Sequence, residues 1–149
     1  MTDAYCFTVN NYTEDDLQAI YRIGAPYIII FGKEVGASGT PHLQGMIWRE
    51  DEVRIRRDRM SKLLGGRAHL EVCKNLECSM AYCVKDFDVY CNICDDLSEL
   101  ARMCYAATKC REFIGVVIYN HLFGTDYTPS LLSICLHHHT HFCKFCRKH

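Results

Sequence analysis

The chain has 149 residues, of which 49% are hydrophobic and 23% charged, and its formal net charge is −1. These values are typical of one globular domain, and they exclude a disordered chain and a protein that coats DNA through its overall charge. The sequence has no run of about 18 apolar residues, so we expect no membrane-spanning helix. The first residues have no basic segment followed by an apolar one, so we expect no secretion and interpret the 11 cysteines as reduced thiols or metal ligands.

The chain begins with a pattern of strand, helix and strand. Residues 4–10 alternate between apolar and polar side chains, which is typical of a half-buried strand. Thr13 is followed by three acidic residues, and this combination favours a helix start through both capping and the helix dipole. Residues 24–26 (Gly-Ala-Pro) end that helix, and the apolar run 27–33 predicts a buried strand.

The middle of the chain predicts two further strands and two further helices. Two glycines supply a flexible link to a partner strand over residues 42–49. A second helix is predicted from about Val53 to Leu64, with Val53 facing inward and the arginines facing outward. Residues 68–73 alternate again as a fourth strand, and Asn75 is suited to cap a third helix.

The predicted order of elements is β-α-β-β-α-β followed by a helix, the ferredoxin-like, split β-α-β arrangement of an α+β fold. In this arrangement both crossover helices pack on one face of an antiparallel sheet, and the first and third strands are central. We expect residues 1–90 to form this domain, with the catalytic site on the open face of the sheet. Residues 91–149 are rich in cysteine and histidine and of uncertain fold. Within them, 96–99 has the pattern of a capping box that opens a helix, and 113–119 predicts a strand or a buried helical segment.

Three polar residues on the second and third predicted strands are candidate metal ligands. His42 and Gln44 are two residues apart, so their side chains point to the same face of a strand. Glu34, at the end of the preceding strand, could bring a carboxylate onto the same ion. Two oxygens and one nitrogen, with water in the remaining positions, suit Mg²⁺ or Mn²⁺ better than a closed thiolate zinc site does. The alternative is a structural role, since a His-x-Gln pair on a strand is common.

Tyr82 and Lys85 are a candidate nucleophile and its activating cation. Their spacing of three residues places them on the same face of a helix. Tyrosine is a poor nucleophile at its free pKa of about 10, so it needs a nearby cation. A Tyr-x-x-Lys pair is also common on helix surfaces, and Tyr90 is a rival tyrosine with no lysine placed after it.

Basic side chains cluster in and after the second predicted helix. They are a candidate surface for single-stranded DNA, and the alternative is an ordinary solvated helix face. The members of this cluster are Arg54, Arg56, Arg57, Arg59, Lys62 and Arg67.

Two Cys-x-x-Cys pairs, Cys91/Cys94 and Cys143/Cys146, have the spacing of zinc knuckles. Together they could form a Cys₄ zinc site in the tail, with His137–His141 as alternative ligands. The other interpretation is that these cysteines pack as small apolar residues. A phosphate-binding loop of the form Gly-x-x-x-x-Gly-Lys-Ser/Thr is absent from the sequence, so no ATP site is expected.

Three stretches resemble the motifs of the replication-initiator (Rep) proteins of small circular single-stranded DNA viruses, circovirus-like in type. Tyr5–Thr13 is similar to the first motif of these proteins. Gly39–Gly45 is similar to the second, the His-hydrophobe-Gln form of the HUH endonuclease signature, and Ala81–Asp86 to the third. Arg67–Glu71 also resembles the strand before the third motif. The resemblance covers about residues 4–90.

The resemblance implies a function in rolling-circle replication. Family members nick and rejoin a stem-loop origin in single-stranded DNA, and they do so through a covalent link between a tyrosine and the 5′ end. The implied roles are metal binding by Glu34, His42 and Gln44, nucleophilic attack by Tyr82, assistance at the phosphate by Lys85, and DNA contacts by Asn10 and Asn11.

Full-length Rep proteins also carry a helicase domain, which we do not expect here, and they act in the host nucleus. Three hypotheses follow. The first is a metal-dependent, tyrosine-linked DNA nickase and joinase. The second is a truncated or spliced Rep variant that binds origin DNA as a non-catalytic regulator, and the third is an interaction protein organised around a zinc site in the tail. Oligomerisation with itself or with a full-length Rep is compatible with each hypothesis.

Overall fold

The computed structural model describes residues 4–51 and 53–128. In chain order its elements are β1 (Tyr5–Asn10), α1 (Glu14–Tyr21), β2 (Tyr27–Val35), β3 (Pro41–Arg49), α2 (Arg57–Leu63), β4 (His69–Val72), α3 (Leu76–Cys83), β5 (Val89–Cys91), α4 (Leu97–Ala107) and α5 (Arg111–Phe123). The strands form one antiparallel sheet with the order β4-β1-β3-β2-β5. The α+β fold class is therefore confirmed, and the first and third strands lie inside the sheet as predicted.

Side-chain caps begin α1 and α3 where the sequence predicts. The Thr13 hydroxyl accepts a hydrogen bond from the Asp16 backbone N–H at 3.2 Å, and the Asp16 carboxylate accepts one from the Thr13 N–H at 2.8 Å. This reciprocal pair is a complete capping box. The Asn75 side chain caps α3 by accepting a hydrogen bond from the Cys78 N–H at 2.8 Å.

One face of the sheet is covered by α1 and α2. Leu43 of β3 is fully buried in the same apolar cluster as Ile20 of α1 and Met60 of α2. Burying an apolar side chain of this size contributes about 1.5–3 kcal/mol to stability. Because successive side chains on a strand point to opposite faces, His42 and Gln44 must face the other side of the sheet.

The opposite face of the sheet is also covered, so the prediction of helices on one face only needs correction. Ile30 of β2 and Met46 of β3 are buried there against Met80 of α3, Ala101 of α4 and Ile114 of α5. The physical reason is that β2 and β3 carry apolar side chains on both faces, and each face must be removed from water. The candidate site therefore lies beside a second helical layer, on the face of the sheet that this layer covers in part.

The second helix is shorter than predicted. It begins at Arg57, and Val53 is 51% exposed instead of facing inward. The segment before it is held in a non-helical conformation by side chains, because the Tyr5 hydroxyl donates to the Ile55 carbonyl at 3.2 Å and Asp51 accepts from the Val53 N–H at 3.3 Å. These bonds replace the helical bonds that the pattern alone favours.

The residues that follow position 90 pack into the same hydrophobic core, up to the end of α5. Leu97 of α4 and Ile118 of α5 are fully buried against α3 and the sheet. The helix predicted at 96–99 is present as α4, but the Asp96 side chain makes no capping hydrogen bond. Residues 113–119 are helical, within α5.

The second cysteine pair, Cys143/Cys146, and the histidines His137–His141 lie outside the described residues, so the tail zinc site stays a prediction. In the described part of the chain, none of the helices has the length and apolar character needed to cross a membrane.

Candidate active site

The three candidate metal ligands lie at neighbouring positions on the same face of the sheet. Glu34 of β2 is paired directly with His42 of β3, and Gln44 is paired with Gly32 two residues along. Asn10 of β1 lies on the other side of His42. Directly opposed residues in an antiparallel pair have Cβ atoms about 4.5–5.5 Å apart. The register of the sheet therefore brings a carboxylate, an imidazole and an amide together.

Glu34 is the buried centre of this group, with a side chain that is only 2% exposed. Its Oε1 atom lies 3.1 Å from His42 Nε2 and accepts a hydrogen bond from Lys85 Nζ at 2.5 Å. Its Oε2 atom is buried and has no hydrogen-bond partner among the residues that the structure describes. Leaving a buried acceptor unsatisfied is costly, and more so for a charged group. Glu34 is therefore a carboxylate with coordinating capacity that the surrounding protein does not use.

The donors present fit a divalent metal ion. Two adjacent ligands of octahedral Mg²⁺, each about 2.1 Å from the ion, lie about 3 Å apart, and Glu34 Oε1 and His42 Nε2 are 3.1 Å apart. Gln44 offers an amide oxygen on the same face, which accepts a hydrogen bond from Thr8 Oγ1 at 3.3 Å. Carboxylate, imidazole and amide donors, completed by water, suit Mg²⁺ or Mn²⁺.

Tyr82 reaches this group because the end of α3 packs very close to β2. A Cβ atom at Gly32 would overlap the carbonyl oxygen of Cys83, so a glycine at this position permits the approach. Cys83 and Val84 are fully buried and anchor the end of the helix, whereas Tyr82 is 38% exposed. Tyr82 and Gln44 line the same cavity, which has a volume of about 310 Å³.

Two cations flank the Tyr82 ring. Lys85 Nζ lies 4.8 Å from the ring centre, and the guanidinium carbon of Arg111 lies 5.0 Å from it. α3 ends at Cys83, so Lys85 lies in the following turn and not on the helix face that the spacing predicts. It still reaches the ring, and its ion pair with Glu34 connects Tyr82 to the three candidate ligands. The site therefore concentrates positive charge at the Tyr82 ring.

The rival tyrosine, Tyr90, belongs to the other face of the sheet. Its ring centre is 5.1 Å from that of Phe31 and 4.8 Å from that of Tyr21, and these residues pack with α1. Burial, with smaller contributions from Cys91 and Tyr21, raises the pKa of Tyr90 above its ordinary value. Its position on the face away from the candidate ligands therefore separates Tyr90 from the site.

Two of the predicted DNA-binding arginines make contacts within the protein. Arg67 donates to the Asp16 carboxylate at 2.6 Å and to the Asn10 carbonyl at 2.9 Å, so it holds the turn between β1 and α1. Arg57 donates to the Leu70 carbonyl at 2.6 Å. These contacts give both arginines a structural role.

The other basic residues of the cluster lie at the surface of α2 and of the segment before it. Arg56 pairs with Asp58 at 3.3 Å, and both side chains are largely exposed. Exposed pairs of this kind contribute little to stability, so Arg56 can exchange its partner for a phosphate. Arg54, Arg59 and Lys62 are also exposed.

Three adjoining cavities run along β4 from α2 to Tyr82, and we call them together the β4 groove. The first, of about 760 Å³, shares Arg57 and His69 with the second, of about 700 Å³. The second shares Glu71 and Ser79 with the third, the 310 Å³ cavity that contains Tyr82. Basic side chains from different elements line the groove along its length: Arg56, Arg57, Lys74 and Arg111.

The two asparagines of the first motif lie at the end of the sheet beside His42. Asn10 ends β1 and is exposed, and Asn11 follows it with a positive φ of 50°. The Asn11 N–H donates to the Pro41 carbonyl at 2.8 Å, which ties this turn to the start of β3. The two asparagines are therefore near the metal-ligand group, and their contact with DNA stays a prediction.

Comparison with known proteins identifies the family. The family model described as "Putative viral replication protein" matches residues 2–86, which is more than half of the chain. The chain belongs to this family. The resemblance drawn from the three motifs is thereby confirmed, and family membership supports a role in viral DNA replication.

Replication-associated proteins of circoviruses are similar to this chain. The protein of beak and feather disease virus is 38% identical over 88 residues, which cover 57% of this chain and 29% of that protein. The protein of pigeon circovirus is 36% identical over 88 residues, covering 57% of this chain and 27% of that protein. The protein of canary circovirus is 33% identical over 119 residues, covering 75% of this chain and 40% of that protein. The chain thus spans less than half the length of these relatives.

The match to the viral replication protein family contains the candidate ligands, Tyr82 and Lys85, but ends before Arg111. Sequence reasoning did not identify Arg111, because its local sequence resembles that of any arginine at a helix start. It reaches Tyr82 only because α5 crosses α3 at short range, where a Cβ at Gly115 would overlap the Glu77 carbonyl. A glycine inside an apolar helical run was the one available signal of this close packing.

Proposed function

We propose that this viral replication protein cuts and rejoins single-stranded DNA at a replication origin, with Tyr82 as the nucleophile. One observation carries the proposal. Tyr82 lies in one cavity with Gln44 and is connected through Lys85 to the buried Glu34 and its neighbour His42. A tyrosine nucleophile, two cations and a set of ligands for a divalent ion, together at one side of a sheet, are suited to phosphoryl transfer.

Glu34, His42 and Gln44 are the residues that would hold a Mg²⁺ or Mn²⁺ ion. When bound, such an ion would polarise the scissile phosphate and neutralise charge that develops on its oxygens. The unsatisfied Glu34 Oε2 and the 3.1 Å separation of Glu34 Oε1 from His42 Nε2 support this assignment.

The proposed reaction exchanges one phosphate ester for another. The Tyr82 oxygen attacks the scissile phosphorus, and the bond between phosphorus and the 3′ oxygen of the preceding nucleotide breaks. The tyrosine hydroxyl loses its proton and the departing 3′ oxygen gains one, which leaves a free 3′ hydroxyl and a 5′-phosphotyrosine. Because the number of phosphate esters is unchanged, a 3′ hydroxyl can attack the phosphotyrosine and rejoin the strand without ATP.

Lys85 and Arg111 would position and stabilise the phosphate at Tyr82. Lys85 Nζ lies between Glu34 Oε1 and the Tyr82 ring, so a rotation of its flexible side chain brings it onto a phosphate oxygen. Arg111 presents a planar guanidinium at the same ring, and this group is suited to hold a phosphate through two hydrogen bonds.

The β4 groove would bind the single strand on its way to Tyr82. Its basic residues can follow a phosphate backbone, and its course ends at the tyrosine. The near-neutral net charge of the chain fits a protein that binds DNA along such a groove and not over its whole surface.

The test is the formation of a covalent adduct with a single-stranded oligonucleotide from the origin of the same viral genome, in Mn²⁺. We expect the wild-type chain and Tyr90→Phe to form an adduct that survives denaturing electrophoresis, and Tyr82→Phe to form none. An adduct on Tyr82→Phe would refute the role of Tyr82.

The metal requirement is tested separately with Glu34→Gln and with a chelator. Both should abolish the adduct while leaving DNA binding measurable. If every divalent ion gives salt-sensitive binding and no adduct, the chain is an origin-binding module and the enzymatic proposal is wrong.

A further inference from the structure

A second group of metal-ligating side chains lies away from the active site. It combines Cys94 from the loop after β5, Asp96 at the start of α4, and His121 in the last turn of α5. Asp96 Oδ1 accepts a hydrogen bond from Cys94 Sγ at 2.6 Å and lies 2.9 Å from His121 Nε2. The three ligand atoms all lie within 4.8 Å of one another.

The chemistry of these donors points to one type of ion. A thiolate, an imidazole and a carboxylate are all ligand types found at zinc sites, and the sulfur and nitrogen donors favour Zn²⁺ over Mg²⁺ or Ca²⁺. Cys94 is half-buried, whereas Asp96 and His121 are exposed, so a metal ion can reach the group from solvent. We propose that Cys94, Asp96 and His121 bind Zn²⁺, with a fourth position open to water or another ligand.

This site differs from the one predicted from Cys-x-x-Cys spacing. Cys91 is buried in the core and pairs with Cys94 only through a backbone bridge. Among the described residues, the ligands that accompany Cys94 are Asp96 and His121, whereas the spacing had predicted cysteines. The residues come together because α4 and α5 pack against each other, which sequence spacing does not reveal.

A zinc ion here would fasten the end of α5 to the start of α4. α5 has 13 residues and rises about 1.5 Å per residue, so Arg111 at its first position and His121 in its last turn are far apart. The ion would therefore act on stability and not on the reaction at Tyr82. Because a structural metal binds the folded state, its removal should lower the melting temperature.

The experiment measures zinc binding by the full chain in a background with Cys143→Ser, Cys146→Ser and asparagine in place of His137, His138, His139 and His141, which removes the candidate zinc ligands of the tail. We expect one equivalent of Zn²⁺, and with Co²⁺ a thiolate-to-cobalt charge-transfer band. Cys94→Ser should remove that band, and His121→Asn should weaken binding by more than about 100-fold, since loss of even an outer-shell partner costs about 10–100-fold. Cys78→Ser and His69→Asn are matched controls that should bind zinc normally.

Asp96→Asn separates the loss of a zinc ligand from the loss of the fold. Asp96 makes no capping hydrogen bond, so this substitution should leave α4 intact while weakening zinc binding and removing the zinc-dependent rise in melting temperature. Absence of zinc binding in the background that lacks the tail ligands, or equal affinity in Cys94→Ser and Cys78→Ser, would overturn the proposal. Neither result bears on the adduct at Tyr82, so this site and the proposed DNA cleavage succeed or fail separately.

Discussion

Gly32 of β2 lies directly against the carbonyl of Cys83 at the end of α3, so close that a Cβ atom at residue 32 would overlap the carbonyl oxygen. This contact sets the distance between α3 and the sheet. Since Tyr82 precedes Cys83, the same contact decides how near the tyrosine lies to Gln44 and to the buried Glu34. The geometry of the proposed catalytic site thus depends on a residue that has no side chain.

Gly32→Ala should therefore impair both stability and activity. Backbone at the contact cannot move aside as a flexible side chain can, so we expect a loss of about 1–3 kcal/mol in the free energy of unfolding. The displacement of Tyr82 should reduce adduct formation further than the loss of stability explains. Urea unfolding and adduct yield at a temperature where the variant is folded measure the two effects.

Gly36→Ala is the matched control for this prediction. A Cβ at Gly36 would lie 3.6 Å from the nearest atom, the Thr40 carbonyl oxygen, which is ordinary contact distance. This variant should unfold and react like the wild type. If Gly32→Ala behaved in the same way, the close approach of α3 would not be what positions Tyr82.

Arg111→Gln should slow adduct formation while leaving the fold intact. The substitution removes a positive charge 5.0 Å from the Tyr82 ring and keeps much of the side-chain volume. Loss of one preorganised group at a transition state typically costs about 10²–10³-fold in rate, and for this partly exposed site we expect about 10–100-fold. Single-turnover rates at saturating DNA measure the effect.

Arg102→Gln is the control for Arg111, because Arg102 makes a similar contact with the ring of Phe87 at 5.8 Å, away from the cavity. It should not change the rate. Arg111→Lys should recover part of the activity, since it restores the charge without the planar guanidinium. Equal rates for Arg111→Gln and the wild type would show that Arg111 does not contribute to the reaction.

The β4 groove predicts a defined salt dependence for DNA binding. Arg56→Gln and Lys74→Gln should each weaken binding to a single-stranded oligonucleotide and reduce the slope of log affinity against log salt by about 0.7. Arg22→Gln is the control, because Arg22 is exposed at the end of α1 and does not line the groove. This variant should keep the wild-type slope. Fluorescence anisotropy over a range of salt concentrations measures these slopes. If all variants had the same slope as the wild type, the DNA would bind outside the β4 groove.

Arg67→Ala should destabilise the fold in a pH-dependent way. Burial alone would raise the pKa of the Asp16 carboxyl, but hydrogen bonds from the Thr13 backbone and from Arg67 outweigh it and hold that pKa below its ordinary value. The stabilisation from a lowered carboxyl pKa is complete above the unfolded-state value of about 3.9 and is lost as pH falls through the folded-state value. We expect Arg67→Ala to cost about 1–2 kcal/mol at neutral pH, allowing for the partial exposure of Arg67.

The difference in unfolding free energy between Arg67→Ala and the wild type should shrink as pH falls below about 4, where Asp16 of the unfolded chain becomes protonated, and should vanish once Asp16 of the folded chain is protonated as well. Arg59→Ala, on the exposed surface of α2, is the control and should cost little at any pH. A difference that stays constant down to pH 2 would mean that Arg67 does not act through the Asp16 carboxylate.

The local sequence predicted the elements that carry the candidate ligands. An apolar run marked β2, two glycines marked the link from β2 to β3, and Thr13 with the acidic residues after it marked the start of α1, because these signals depend on residues only a few positions apart. The same signals failed at Val53, where the Tyr5 hydroxyl and the Asp51 carboxylate hold the chain outside the helix. A bond between β1 and residue 55 cannot be read from the pattern around residue 55.

The sequence by itself determined that His42 and Gln44 share a face and that Tyr82 and Lys85 lie within one turn of each other, since strand and helix periods are local properties of the chain. It also determined the family, through its motifs. Only the tertiary structure decided that Arg111 faces Tyr82, that Arg67 holds Asp16, and that Cys94, Asp96 and His121 converge. Each of these contacts joins elements that meet only when the helices have packed on the sheet, and the packing depends on the shape of the whole core.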